Sequence, residues 1–307
     1  MSRRLCLALA LALAAAPIGG CMAAADINCF SKRPSVVRPD RNRVLASLSN
    51  GASGRTLADA ILDGRVDEAR AILTRDPRLI DTAVLPEANG IQPPAGQYGD
   101  LLTLAVSRCD ADAARMLFDQ GMPRDGVLAG NALSLAILAD DPRMAELLLR
   151  SGASPDPQQR GGEDPMRAAI TFSHIGGVMT LLRHGADPRW SDSFGIDRVR
   201  LALDAEQAEI AELLVDKGGT LWSVAGDGSM AAHELLGEPV VFGSDAAKAA
   251  RARLIARAKQ DGIGWPPPNR ATVKRMVTAG NWPTADMVKA GVTVAPAVLE
   301  KLRAERH

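Results

Sequence analysis

Aromatic residues are scarce, at 3% of 307 residues, and Tyr98 is the only tyrosine. Ala and Leu therefore carry most of the apolar bulk, which suits close-packed helices better than a β-sandwich. Histidine and cysteine number four each and form no cluster, so no metal-ligand set is expected. The sequence "HELLG" from His233 stops short of a zinc-protease motif, because Gly237 stands where the second His would be. His233 is expected at a helix surface or interface. His174 and His184 are expected on opposite sides of an inter-helix turn, which excludes a joint site. No GxSxG elbow, phosphate-binding P-loop or GxGxxG stretch occurs, so the familiar hydrolase and nucleotide sites are missing. No cofactor is implied.

Long hydrophobic runs are also absent beyond the N-terminus, and no later segment approaches the length of a membrane span. Arg3 and Arg4 precede the apolar run "LCLALALALAAAPIGG", which reads as a secretory signal over residues 1–20. "IGGC" ending at Cys21 resembles a bacterial lipobox, in which the Cys is lipidated and becomes the new N-terminus. "AAA" at residues 23–25 would serve ordinary signal peptidase instead. The expected product is periplasmic and membrane-anchored, with a tether over residues 21–51. Export permits a disulfide between the remaining cysteines, Cys29 and Cys109; the alternative is two separate thiols, with Cys109 packed on a helix.

Net charge is zero, yet the charge is unevenly spread. Residues 21–243 hold 22 basic against 31 acidic side chains, and residues 244–307 hold 12 against 5. The basic stretch Lys248, Arg251, Arg253, Arg257 and Lys259 lacks interleaved aromatics, so nucleic acid is not an expected partner. It reads as a solvated helix face, with anionic lipid or an acidic partner as the alternative.

What the chain does have is repetition. "LADA" from Leu57, "LTLA" from Leu102, "LSLA" from Leu133, "MRAA" from Met166 and "VRLA" from Val199 end in Ala60, Ala105, Ala136, Ala169 and Ala202, at intervals of 45, 31, 33 and 33. Each is followed by a closing phrase, "AILTRDP", "MLFDQGM", "LLLRSGA", "LLRHGAD" or "LLVDKGG". The alanines allow close helix approach. Leu147, Leu148, Leu181, Leu182, Leu213 and Leu214 form an apolar seam that one unit cannot bury alone. Gly121, Gly152, Gly185 and Gly218 stop the second helix in a left-handed conformation.

Over residues 52–222 this pattern resembles the ankyrin repeat, a unit of about 33 residues with a turn and two antiparallel helices. The resemblance implies an all-α, helix-turn-helix α-solenoid, here of about five units. The family's Thr-Pro-Leu-His tetrapeptide is nearly lost: its His position reads Ala58, Thr103, Ser134, Arg167 and Arg200. The turn hydrogen bonds it supplies must come from elsewhere. Residues 223–307 read as degenerate helical repeats forming a C-terminal cap, with Ser244 an N-cap, Gly262 a stop and "WPPP" at 265–268 a rigid joint.

The resemblance also implies a non-catalytic scaffold that binds a partner protein through its turn tips and concave face, as a monomer. An immunity protein that neutralises a toxin is the alternative, and an enzyme with an unrecognised site a weaker one. Turn-position residues Arg124, Asp125, Arg160, Glu163, Trp190 and Asp192 are the candidate contacts, Trp190 foremost because a finger-tip Trp suits a hot spot. The insertion over residues 82–100, which carries Tyr98, maps to the same edge.

Overall fold

A computed structural model of the chain describes residues 41–84, 99–127, 131–157, 164–237, 243–289 and 292–304. Every regular element among the described residues is a helix, with isolated bridges and no strand. In chain order the helices are α1 (Arg41–Ala46), α2 (Gly51–Leu62), α3 (Val66–Arg75), α4 (Leu101–Ser107), α5 (Ala111–Asp119), α6 (Asn131–Leu138), α7 (Pro142–Arg150), α8 (Pro165–Thr171) and α9 (Ile175–Arg183). There follow α10 (Arg198–Asp204), α11 (Ala208–Asp216), α12 (Ala231–Glu234), α13 (Asp245–Gln260), α14 (Arg270–Thr278), α15 (Ala285–Lys289) and α16 (Pro296–Ala304). A 3-10 helix, Pro77–Asp81, follows α3. No described helix is long and apolar enough to cross a membrane.

The helices come in antiparallel pairs, α2/α3, α4/α5, α6/α7, α8/α9 and α10/α11, each joined by a short turn. First helices pack on first helices along the row α2, α4, α6, α8, α10, α12. Second helices do the same between α3 and α5, α7 and α9, and α11 and α13. The five repeat alanines have no exposed surface. Of each seam pair one leucine is fully buried, namely Leu148, Leu181 and Leu214, while Leu147, Leu182 and Leu213 are half-buried.

Each pair turns by the same device. Gly64, Cys109, Asp140, Ser173 and Glu206 have positive φ at one position of the pattern, four residues after the repeat alanine. The next residue's N–H then reaches back to that alanine's carbonyl: Arg65 to Ala60 at 2.8 Å, Asp110 to Ala105 at 3.0 Å, Asp141 to Ala136 at 3.1 Å, His174 to Ala169 at 2.8 Å and Gln207 to Ala202 at 2.7 Å. This six-to-one closure satisfies a carbonyl that the helix end would otherwise orphan. The second helices stop at Gly121, Gly152, Gly185 and Gly218 with the same closure, such as Ala153 N–H to the Leu148 carbonyl at 3.0 Å. The first copy lacks this glycine. There Asp76 accepts from the Arg78 N–H, and the 3-10 helix takes over.

Several expectations are corrected. Residues 41–46 are helical, not tether: Val44 is fully buried and α1 packs on α2, covering a face that has no earlier pair to cover it. His174 and His184 flank one helix as its two caps; they do not straddle an inter-helix turn. Cys109 is not on a helix but at the left-handed position of its turn, and it is disulfide-bonded. Cys29 lies outside the described residues, as do Cys21, Tyr98, Arg160 and Glu163.

The region after α11 is held on by long-range pairs. Trp222 is buried and donates its Nε1–H to Asp261 at 2.9 Å, at the end of α13. Ser244 Oγ accepts from the Ala247 N–H, capping α13, and Gly262 follows it with positive φ. Two Trp-Pro bonds, Trp265–Pro266 within the "WPPP" stretch and Trp282–Pro283, are cis. The basic stretch on α13 is not simply solvated. Arg253 grips Glu212 of α11 with both arms of its fork, and Arg257 meets Asp216 at 2.9 Å. Arg251 donates to the carbonyls of Glu234 and Gly237. Two arginines of the basic tail thus pair with acidic side chains of α11. His233 bridges α12 to the loop before α14, accepting from the Met230 N–H at 2.9 Å and donating to the Pro268 carbonyl at 2.7 Å.

Candidate protein-binding edge

The first helix of each pair begins at the tip edge, where one pair connects to the next. In three pairs its N-cap is an aspartate. Asp100 accepts from the Thr103 N–H at 2.9 Å, Asp164 from Met166 at 3.0 Å and Asp197 from Arg200 at 2.8 Å. Each stands five residues before its repeat alanine, so carboxylates do here what a cap hydroxyl would do. The residue three after each of the last two caps is an arginine that reaches the next tip. Arg167 extends to Asp192 of the next tip at 3.2 Å, and Arg200 to Ser229 and Asp227 of the tip beyond.

Neighbouring tips are also tied directly. Asp125 accepts from the Ser154 N–H at 2.6 Å, and Asp156 from the Asp187 N–H at 2.9 Å. Carboxylate-to-amide bonds of this kind are short and strong, and they hold consecutive tips in one row. Asp125 thus has a structural task. Arg124 is exposed, with its guanidinium 4.9 Å from the centre of the Phe118 ring.

Arg198 anchors the next stretch of this edge. It is 1% exposed, pairs with Asp156 at 2.6 Å and Asp164 at 3.1 Å, and donates to the Asp187 carbonyl at 2.7 Å. The Trp190 ring covers its guanidinium at 5.3 Å, a cation–π contact inside the chain. Trp190 is half-buried by that contact, so its ring serves the fold first. Asp192 likewise caps its own loop, accepting from the N–H groups of Phe194 at 2.9 Å and Ile196 at 3.0 Å.

The residue left standing is Phe194, 64% exposed and the most exposed large apolar side chain among the described residues. Its backbone is fixed on both sides. Gly195 turns with φ +76°, and a Cβ there would stand 2.6 Å from Val298 Cγ2, so the α16 side admits only glycine. The Phe194 carbonyl accepts from the Gly226 N–H at 2.9 Å. In the same turn Asp192 pairs with Arg167 at 3.2 Å, and Asp227, which follows Gly226, pairs with Arg270 at 3.5 Å. An exposed ring on a rigid turn is the arrangement of an interface anchor. Sequence reasoning passed over Phe194 in favour of Trp190. The available signal was Phe before Gly in "SDSFGID", a tight turn with no room to bury the ring.

The first-helix face is open only in part. All residues of α4 are buried, and Ala132 to Ile137 of α6 are too, whereas α8 and α10 expose Arg167 and Asp204. Among the described residues no three His, Cys, Asp or Glu side chains gather into a metal-binding group. No protein-family model and no curated protein matches the chain.

One carboxylate at this edge is set apart by burial. Burial pushes the Asp197 carboxyl up to about 6, against hydrogen bonds from the Arg200 backbone and the Ser223 side chain. An acid whose folded value exceeds its unfolded one favours folding as pH falls through the folded value, and opposes it above. Asp197→Asn keeps a capping side chain and removes the titration. It is expected to melt higher than the wild type at pH 7.5, by about 1–3 kcal/mol, with the difference vanishing near pH 4. Thermal melts of both proteins from pH 4 to 8 check this; parallel curves would contradict it.

Proposed function

We propose that this chain is an ankyrin-type α-solenoid, exported and lipid-anchored at Cys21, that binds a partner protein with its tip edge and performs no chemistry. The observation that carries the reading is Phe194, a rigidly held and exposed ring on a row of cross-linked tips. In-register alanines and left-handed turns support the solenoid. A stack of this kind keeps its tips in a fixed row, so a partner meets a prearranged surface and little entropy is lost on binding. The acidic groups Glu212 and Asp216 are engaged by Arg253 and Arg257, so attraction of the body for a basic toxin is not what recommends the surface.

Site-specific photo-crosslinking in envelope membranes tests the reading. A photoreactive residue replacing Phe194 should yield an adduct with a single protein, and one replacing Glu206, at the left-handed turn position of the α10/α11 pair, should yield none. Adducts from Glu206 alone would overturn it.

A further inference from the structure

We propose that the outer face of α9 is a dimer interface, on which a second copy of this chain docks about a two-fold axis running along the helix. This replaces the monomer that the repeat resemblance implies. The five second helices provide the comparison. Seven residues after the repeat alanine each pair has an exposed position, which reads Asp67, Asp112, Arg143, Gly176 and Glu209. Three residues further on it reads Arg70, Arg115, Glu146, Met179 and Glu212. Four pairs carry charge at both positions, as a water-facing helix side does. The α8/α9 pair carries it at neither. Ile175 and Met179, four residues apart on one side of α9, are 46% and 50% exposed, and Phe172, in the turn leading into α9, is 38% exposed. A Cβ on Gly176 would meet nothing within 4 Å, so the backbone beside these side chains is open to close approach. Exposed apolar side chains where every sister helix has charge mark a contact surface.

The flanks of the stripe point to a second copy. α9 packs on α7, and its own first helix, α8, packs on α10, the first helix of the α11 pair. His184, at the end of α9, meets Glu146 of α7 at 3.1 Å; Arg189, in the tip after α9, donates to the Gly218 carbonyl beyond α11 at 2.5 Å. α9 therefore has α7 on one side and α11 on the other. Level with Gly176 in the repeat, α7 exposes Arg143 and α11 exposes Glu209. Level with Met179, the two glutamates are already engaged, Glu146 by Arg150 at 2.7 Å and by His184, and Glu212 by both arms of Arg253. Arg183, the one charge of α9, stands a turn beyond Met179 and donates to Thr180 Oγ1 at 3.0 Å. The stripe is thus apolar in the middle, with a cation on one flank and an anion on the other. A two-fold axis along α9 lays each flank on the opposite flank, so Arg143 meets Glu209 of the partner subunit on both sides of Gly176. An axis across α9 would lay like flank on like. A surface that complements itself in this way is what an isologous interface requires.

The axis fixes what the dimer presents. Helices in each pair run from tip to turn and back, so a two-fold axis along them keeps both tip edges at the same end. On the tip-edge reading above, two copies of Phe194 then stand at one end of the dimer, and a two-fold partner can engage both at once, which raises avidity without any new contact. The dimer itself does not depend on that reading.

Analytical ultracentrifugation of the full chain, solubilised in detergent from the envelope, measures the dimer. Met179→Glu installs the residue that α7 and α11 carry at this position, so its melt should match the wild type while dimer affinity falls about tenfold or more. Arg143→Glu and Glu209→Arg should each weaken the dimer about tenfold, and the double variant should recover it, because the exchanged charges still face each other across the axis. In envelope membranes, Gly176→Cys should join two copies through a short bismaleimide, and Asp112→Cys, at the same position of α5, should not. A chain that stays monomeric at about 100 μM overturns the proposal, as does a dimer indifferent to Met179→Glu or a double variant no better than the singles. Adducts of Gly176→Cys with a different protein alone would put that protein on the stripe. A monomer whose binding to phosphatidylglycerol vesicles is lost with Met179→Glu would put a bilayer there. Either result also removes the second copy as occupant. A dimer that forms while a photoreactive residue at Phe194 captures nothing would support the interface and count against the tip edge alone.

Discussion

Leu148→Asp is expected to abolish cooperative melting. Leu148 has no exposed surface and sits on α7, which packs against α9. A carboxylate placed there has no cation to pair with in an apolar seam, and the cost of several kcal/mol is a large part of a domain's stability. Leu147, the neighbouring residue, is half-buried, so Leu147→Asp can turn its charge toward water and should keep a sigmoidal melt. Circular dichroism of the two variants side by side checks the register of the helix face. A wild-type melt for Leu148→Asp would mean the face is misassigned.

The second large effect is expected at Arg198. Arg198→Met leaves Asp164, almost fully buried, and Asp156, largely buried, without their cation. Breaking a buried pair from one side typically costs about 3–5 kcal/mol, because the remaining charge is stranded. The Trp190 ring also loses the guanidinium it covers. Adding Asp156→Asn and Asp164→Asn to the same protein should restore much of the lost stability, since the stranded charges are gone. Denaturant melts of the single and triple variants separate this from simple loss of packing; a triple variant no better than the single would argue for packing.

The sequence made the helical pairs legible through short-range marks. Alanine at one position and glycine at the second-helix stop recur because each serves a steric need that few other residues meet. The turn inside each pair left no such mark. Only Gly64 is a glycine there, while Cys109, Asp140, Ser173 and Glu206 accept a left-handed backbone that costs about 1–2 kcal/mol. The returning hydrogen bond to a buried alanine carbonyl offsets that strain, and nothing in residue type announces it.

The candidate edge was less legible still. Trp190 looked like a contact because a tip Trp has no local partner, yet its partner Arg198 comes from the helix that follows, at a position held by Leu101, Ala132 and Pro165 in the three preceding pairs. Asp125 and Asp192 looked free because the amides they accept from lie in a neighbouring tip or across their own turn. The basic stretch of α13 looked solvated because Glu212 and Asp216 stand 41 residues away in the chain. Long-range pairing of charge is invisible to composition and periodicity.

The account turns on whether the tips are where a partner docks. Isothermal titration of the partner captured at Phe194 measures this most directly, using the wild type and Phe194→Ala at matched folded concentration. The account predicts a loss of about 1–3 kcal/mol of binding free energy for Phe194→Ala, with an unchanged melt, because an exposed ring contributes to contact and little to the fold. Unchanged affinity for Phe194→Ala would contradict it and move the binding surface off the tip edge.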